Sequence, residues 1–157
     1  MEKTNVMRIL DGRKLPYESF CYLDTGAVSG TEVAAALGQD PRRVFKTLVT
    51  EAKSGQHYVF MIPVEEELDL KKAAHSVGEK AVSMLKAKEL LPLTGYVHGG
   101  CSPVGMKKPF RTVVHRSAED FDKILFSAGK IGYQVEMRPE DLKKVVPFLY
   151  ADVIVNV

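Results

Sequence analysis

The stretch VFKTLVTEAKSGQHYVFMIPV, residues 44–64, holds two runs of β-branched and aromatic residues around a short polar turn. Val44–Thr50 and His57–Val64 read as strands and Lys53-Ser54-Gly55-Gln56 as the turn between them, so the stretch is a hairpin. That hairpin sets the class, because it calls for a largely antiparallel or mixed sheet rather than the parallel sheet of a dinucleotide fold. One residue disturbs the pattern. Val44, Lys46 and Leu48 share one face of the first strand, and Phe45, Thr47 and Val49 the other. Both faces are mostly apolar, and burying an ammonium is costly unless an anion or hydrogen bonds meet it. Two readings of Lys46 stand side by side. It guards an edge strand or snorkels to water, or it is a cation at the mouth of a pocket, meeting a phosphate or polarising a carbonyl.

Outward from the hairpin, Val6, Ile9 and Leu10 have helical spacing in Thr4–Gly12, and Tyr17–Leu23 reads as a strand. Ser29-Gly30-Thr31-Glu32 matches a capping box, followed by a helix over Val33–Gly38. From Glu65 to Leu91 the composition turns to Lys, Glu, Ala and Leu, which predicts two helices broken near Ser76-Val77-Gly78. Strands are expected at Thr94–His98, Arg111–His115, Ile124–Ser127, Tyr133–Met137 and Ala151–Val157. Pro139-Glu140-Asp141 opens a last helix, with proline in the first turn and acids against the dipole. The expectation is an α+β fold in a single domain over residues 1–157. Its mixed, mainly antiparallel, barrel-like sheet has about six to seven strands and is flanked by helices.

The composition narrows the function. With 157 residues, 45% apolar and 27% charged, the chain has the make-up of one globular domain. Its longest apolar run, Tyr58–Val64, is far too short to cross a bilayer, and MEKTNVMRILDGRK lacks the apolar core of a signal peptide, so a cytoplasmic protein without membrane contact is expected. The 22 lysines and arginines against 20 acidic residues leave a net charge of +2, too little for nucleic-acid binding by bulk charge alone. The positives cluster at Arg42-Arg43-Lys46, Lys71-Lys72, Lys86/Lys88, Lys107-Lys108-Arg111 and Lys143-Lys144. Most such groups are solvated faces. Cys21 and Cys101 lack CxxC spacing, and His57, His75, His98 and His115 form neither HxxxH nor HExxH, so no metal or cofactor is expected. GKIG at 129–132 lacks the rest of a phosphate-loop pattern.

Chemistry concentrates in HGGCSPVGMKKPF, residues 98–110. Gly99, Gly100 and Gly105 permit close backbone approach, and Pro103 stiffens the loop. Successive exposed amides in such a loop form either a structural turn or a concavity for an anion or oxyanion, with the Ser102 hydroxyl beside it. A nucleophilic Cys101 would need a thiolate stabilised by a histidine or helix N-terminus, which the spacing to His98 does not establish. A second glycine turn, Ser127-Ala128-Gly129-Lys130-Ile131-Gly132, could form a facing rim of the same opening.

Four segments taken together, DPRRVFKTLV (40–49), LDLKKAAHSVGEKAVSM (68–84), TGYVHGGCSPVGMKK (94–108) and SAGKIGYQVEMRPEDL (127–142), resemble the YbaK family in the family's order. That family includes cysteinyl-tRNA(Pro) deacylases and the related editing domain of bacterial prolyl-tRNA synthetases. The resemblance implies trans-editing: cleavage of the ester that joins mischarged cysteine to tRNA(Pro), with the substrate's own thiol attacking the carbonyl and prolyl-tRNA synthetase as partner. It implies Lys46 as the essential lysine with Thr47 beside it, and Gly99-Gly100-Cys101-Ser102-Pro103 as the GxxxP loop. The amides of Gly100, Cys101 and Ser102 would hold the ester, and Tyr22, Ser127 and Gly129 would line the pocket. Lys107, Lys108 and Arg111 are the candidates for RNA phosphates. Cys101 replaces an expected apolar residue, and Gln134 stands where some relatives carry an acid. A deacylase of the same fold for alanine or serine, or a non-catalytic tRNA- or synthetase-binding module, are the alternatives.

Overall fold

The computed structural model describes residues 2–156. Its strands are β1 (Glu18–Cys21), β2 (Phe45–Ala52), β3 (His57–Pro63), β4 (Val82–Met84), β5 (Arg111–His115), β6 (Ile124–Ser127), β7 (Tyr133–Met137) and β8 (Phe148–Ala151). Its helices are α1 (Asn5–Gly12), α2 (Gly30–Ala36), α3 (Leu70–Ser76), α4 (Ala87–Thr94) and α5 (Pro139–Val145). The strands form a five-stranded sheet of order β4-β2-β3-β5-β8 and a three-stranded sheet of order β1-β7-β6. The β2–β3 hairpin keeps an unbroken antiparallel register from Phe45↔Pro63 to Glu51↔His57. By contrast β5 lies parallel to β3, and β8 parallel to β5. The fold is α+β with mainly antiparallel pairing, as expected, but the sheets do not close into a barrel.

Strand alternation explains where the core sits. Phe45, Val49, Val59, Met61 and Val114 point from the larger sheet toward Ile124, Phe126, Tyr133, Val135 and Met137 of the smaller one. Val6, Met7 and Leu10 of α1 and Leu142 of α5 pack against the same cluster. On the opposite face of the larger sheet, Leu48, Phe60, Ile62 and Val113 pack with Ala73 and Ala74 of α3. A third cluster, Ala34, Val44, Val64 and Leu125 with Phe20 and Leu37, lies where the sheets meet. The Ser29–Glu32 capping box forms, with Ser29 Oγ accepting from the Glu32 amide and the Glu32 carboxylate accepting from the Ser29 amide.

Three sequence expectations are corrected. Thr94–His98 is not a strand: Thr94 ends α4, and Gly95, at φ +87°, caps it in the left-handed region. Thr94 Oγ1 donates to the Leu90 carbonyl and accepts from the Tyr96 amide, so the backbone there serves a helix end. The region after the α3 break contains a short strand, β4, paired with Thr50–Ala52, before α4 begins. The last strand is Phe148–Ala151 rather than 151–157. Beyond it, Ile154 makes only an isolated bridge to Leu68, and Val157 lies outside the described residues. No helix of the described residues is long and apolar enough to cross a membrane.

Arg43 is not a solvated charge. Its Nη2 donates to Glu136 Oε2 at 2.6 Å and to the Gln39 side chain, while Nη1 donates to the Lys123 carbonyl at 3.1 Å. Because Glu136 is buried, deleting the guanidinium strands a carboxylate, whereas Glu136→Gln leaves a neutral partner. Arg43→Ala is expected to lower unfolding free energy in urea by about 2–3 kcal/mol and Glu136→Gln by about 1 kcal/mol. Equal, negligible losses in both variants would remove the clamp from the account.

His115, at the end of β5, is buried and accepts from the Val153 amide through Nδ1 at 3.2 Å. Burial holds its pKa below the ordinary value, and outweighs the attraction of Asp152, 3.9 Å away. The folded state therefore prefers the neutral ring. Its contribution is complete above the unfolded pKa of about 6.5 and fades as pH falls toward the depressed folded value. Stability should rise between about pH 5 and pH 7, and His115→Gln should flatten that slope in urea titrations at each pH.

Candidate active site at the junction of the two sheets

The two sheets meet through one isolated parallel bridge, Val44↔Leu125. Val44 and Leu125 belong to one apolar cluster, so they leave their strands on a common face. Two residues further along each strand come Lys46 and Ser127, which alternation places on that same face. Across β6 and β7, Ser127 pairs with Gln134, and Gln134 pairs in turn with Phe20 of β1. Lys46, Ser127, Gln134 and Phe20 thus form one row across four strands. Tyr22, two residues beyond Phe20, is buried, and its amide donates to the Gly132 carbonyl at 2.8 Å.

Lys46 is partly buried, at the seam between the cluster of Val44 and the cluster of Leu48. Burial pushes its pKa down, opposed by the nearby carboxylates of Glu67 and Glu66. On one side Lys46 pairs with Ile62 of β3, while β4 reaches β2 only at Thr50–Ala52, so the other side of Lys46 lies open to the junction with β6. Thr47 points the other way, toward the main core side of β2, and its Oγ1 is buried without a hydrogen-bond partner.

The two glycine loops meet. A side chain at Gly100 would put its Cβ 3.0 Å from the Ile131 amide nitrogen and 3.3 Å from the Lys130 carbonyl carbon. Both neighbours are backbone and lie closer than a Cβ ordinarily packs, so a side chain at 100 would push the two loops apart. Gly99 faces the Ile131 side chain, and Gly129 lies against Val6 and Tyr96. The Tyr96 hydroxyl donates to the Val104 carbonyl, which ties the Gly99–Pro103 segment to the core. Ser127 Oγ accepts from the Gly129 amide at 3.1 Å, and Ser102 Oγ accepts from the Val104 amide at 3.3 Å. The Gly100 amide is already committed to the Val97 carbonyl at 3.0 Å. The amides of Cys101 and Ser102 have no partner among the described residues.

Cys101 is 8% exposed, inside the main cluster, and burial pushes its thiol to a pKa of about 12. It is a protonated core residue at neutral pH, poorly suited to attack a carbonyl. Lys107 and Arg111 are anchored on different elements. Lys107 Nζ donates to the Pro92 carbonyl at 3.3 Å, beside the end of α4, while Arg111 donates to Val77 at 3.4 Å, beside α3. Lys108 is exposed. No group of three or more His, Cys, Asp or Glu side chains among the described residues is placed to hold a metal ion.

Gln134 entered the sequence reading only through the resemblance, as a position where some relatives carry an acid. It is 7% exposed, and its Oε1 is buried with no hydrogen-bond partner among the described residues. An orphaned buried acceptor of this kind costs about 1–3 kcal/mol. The available signal was the alternation of YQVEM, whose polar face reads as solvent-exposed unless both faces of the strand are known to be covered.

The family model of the aminoacyl-tRNA editing domain matches residues 25–145. EbsC of Enterococcus faecalis, which carries the name of a Cys-tRNA(Pro)/Cys-tRNA(Cys) deacylase, is 41% identical over 97% of this chain and 93% of its own length. A proline–tRNA ligase of Shouchella clausii is 30% identical over 65% of this chain and 18% of the ligase, a match to one part of a longer protein. Among solved structures, a hypothetical protein superposes with a TM-score of 0.87 at 26% identity, covering 97% of this chain and 100% of that one. A structure described as a trans-editing enzyme for prolyl tRNA synthetase gives 0.84 at 23% identity, covering 99% and 100%, a likeness of fold.

The thiols give a direct check on this geometry. Cys21 is exposed and Cys101 buried. A thiol reagent such as DTNB is expected to modify one cysteine rapidly in the native protein and both after denaturation. Fast labelling of Cys101 in the folded protein would contradict its burial.

Proposed function

The chain belongs to the aminoacyl-tRNA editing domain family, and we propose that it acts in trans as a deacylase of cysteinyl-tRNA(Pro). The observation that carries this reading is the row of Lys46, Ser127 and Gln134 at the sheet junction, joined by two glycine loops whose backbones touch. The name of EbsC supplies the substrate: the ester that joins cysteine to tRNA.

In the proposed reaction the substrate thiol attacks its own ester carbonyl carbon. A carbon–sulfur bond forms, the bond to the ribose oxygen breaks, and the thiol proton ends on that oxygen. The product is a cyclic thiolactone, which water opens to free cysteine. No protein nucleophile is needed, in keeping with a buried, protonated Cys101. The protein supplies orientation and charge. Holding thiol and carbonyl in contact removes an entropic barrier. The unpaired amides of Cys101 and Ser102 are donors for the carbonyl oxygen as it gains charge. Lys46 is partly stripped of water, so its charge acts strongly on a nearby phosphate or oxyanion. Tyr22, Gly99, Pro103 and Gly129 shape the opening, and Ser127 presents its hydroxyl to it.

A net charge of +2 gives weak purchase on tRNA, since affinity grows with the phosphates neutralised. Prolyl-tRNA synthetase is therefore the proposed partner that delivers the substrate, and the relationship to a part of a proline–tRNA ligase favours that pairing. Lys107 and Lys108 remain proposed phosphate contacts. Arg111, tied to α3, would contact a different part of the RNA.

The test is a deacylation panel on cysteinyl-, alanyl- and seryl-tRNA(Pro), with and without the synthetase. Cysteinyl-tRNA should be cleaved fastest, and adding synthetase should lower its apparent KM. Lys46→Ala should lower kcat/KM by about 100-fold, near 2.7 kcal/mol of transition-state stabilisation. Full activity in Lys46→Ala would sink the site, and rapid seryl-tRNA cleavage would sink thiol assistance. Binding of tRNA with no cleavage above background would leave a binding module instead.

A further inference from the structure

Away from the sheet junction, the starts of β3 and β5 lie side by side, with Tyr58 paired to Arg111. His57, Phe110 and Arg111 line an open cavity of about 590 Å³ there, a size that suits a small ligand. His57 and Phe110 meet edge to face, with ring centroids 5.9 Å apart. Both are half-buried: Phe110 packs on the main core cluster, and His57 Nε2 lies 3.2 Å from Glu51 Oε2. The rings are thus fixed in place while part of each reaches solvent. Arg111 is exposed and gives only Nη1 to the Val77 carbonyl, so the rest of its guanidinium has no partner among the described residues. Lys108, two residues before Phe110, is exposed as well. The acids beside the cavity are turned to partners, Glu51 to His57 and Glu79 to Tyr58 and Ser54.

None of these groups reaches the ester. Glu51, which pairs with His57, lies five residues beyond Lys46 on β2, about 17 Å by strand rise. A single nucleoside does not span that distance, whereas several nucleotides do, at about 3.4 Å for each stacked step. We propose that this cavity takes one nucleotide of the tRNA acceptor strand, upstream of the aminoacylated one, with its base stacked on Phe110 and His57 and its phosphate held by Arg111. This inference rests on the deacylase reading. A base offers a flat π face to aromatic side chains whatever its identity, and a phosphate matches the fork of an arginine. Here the aromatic surface and the cation sit on adjacent residues, as base and phosphate do in one nucleotide. A net charge of +2 gives little bulk attraction for RNA, so a stacking site supplies affinity that charge does not.

The experiment compares cysteinyl-tRNA(Pro) with 3′-O-cysteinyl-adenosine, which keeps the ester and terminal nucleoside but has no upstream nucleotides. Without synthetase, Phe110→Leu should lower kcat/KM on the tRNA by about 10-fold, the scale of one base stacked on an aromatic ring. The same variant should cleave cysteinyl-adenosine as wild type does. Arg111→Gln should reduce the slope of log kcat/KM against log salt on the tRNA by about 0.7, the contribution of one phosphate. Equal losses on both substrates in Phe110→Leu, or none on the tRNA, would overturn the assignment, as would an unchanged salt slope in Arg111→Gln. If Phe110→Leu fails to fold by its thermal transition, or cysteinyl-adenosine is cleaved too slowly to measure, the salt slope decides. A loss that appears only with synthetase added would give the cavity to that protein and overturn the RNA assignment. Wild type that cleaves neither substrate marks failure of the deacylase reading, seen before any variant is measured.

Discussion

Val44 and Leu125 make the contact on which the rest of the arrangement depends. The two sheets share no other hydrogen-bonded strand pairing among the described residues, so this bridge fixes how they lie against each other. It is held from two directions. Ala34, Val64, Phe20 and Leu37 bury it, and Arg43 ties the chain just before β2 to Glu136 on β7. Beyond the bridge the two strands carry Lys46 and Ser127 forward in step. A tilt between the sheets would separate residues that are 81 positions apart in the sequence and bound by nothing else.

The glycine loops are a consequence of the same closeness. Where β6 ends, the chain turns back through 128–132 into β7, and Gly99-Gly100 is laid against that turn backbone to backbone. Such contact leaves no room for side chains, so the segment after Gly100 must drive its own inward: Cys101, Ser102 and Val104 are all buried. The thiol is therefore part of the packing that holds the loop, while the amides beside it remain unpaired. Position and chemistry separate at this loop: the side chains pack, and the proposed reaction calls on the backbone alone.

Much of this was legible because the signals were local. The β2–β3 hairpin, the Ser29–Glu32 capping box, Ile124–Ser127 and Tyr133–Met137 follow from spacing and propensity that act within a few residues. Thr94–His98 misled because Thr, Tyr and Val favour strands, while a left-handed Gly95 and the Thr94 hydroxyl served a helix end. Three-residue β4 was too short to carry a pattern. In the site, Lys46 was visible as a charge on a two-sided apolar strand. The burial of Gln134 and Glu136 was not, because alternation reports which residues share a face and not what covers that face. Arg43 was misread for the same reason: its partner lies 93 positions away.

A site of this construction also constrains how selection among amino acids can work. Serine differs from cysteine by one atom of similar shape, and a pocket rejects such an isostere weakly by fit alone. In the proposed reaction the discrimination is moved into the chemistry. A thiol ionises near pH 8.5 and is intrinsically nucleophilic, whereas a hydroxyl is a weak nucleophile until a base activates it. With Cys101 buried and no triad supplied, the protein offers a serine ester little of that help. An arrangement that holds the ester without attacking it is selective because of what it lacks, provided that the carbonyl is gripped well enough to bring a thiol to bear. In the proposed reaction that requirement falls on the Cys101 and Ser102 amides, which have no partner among the described residues.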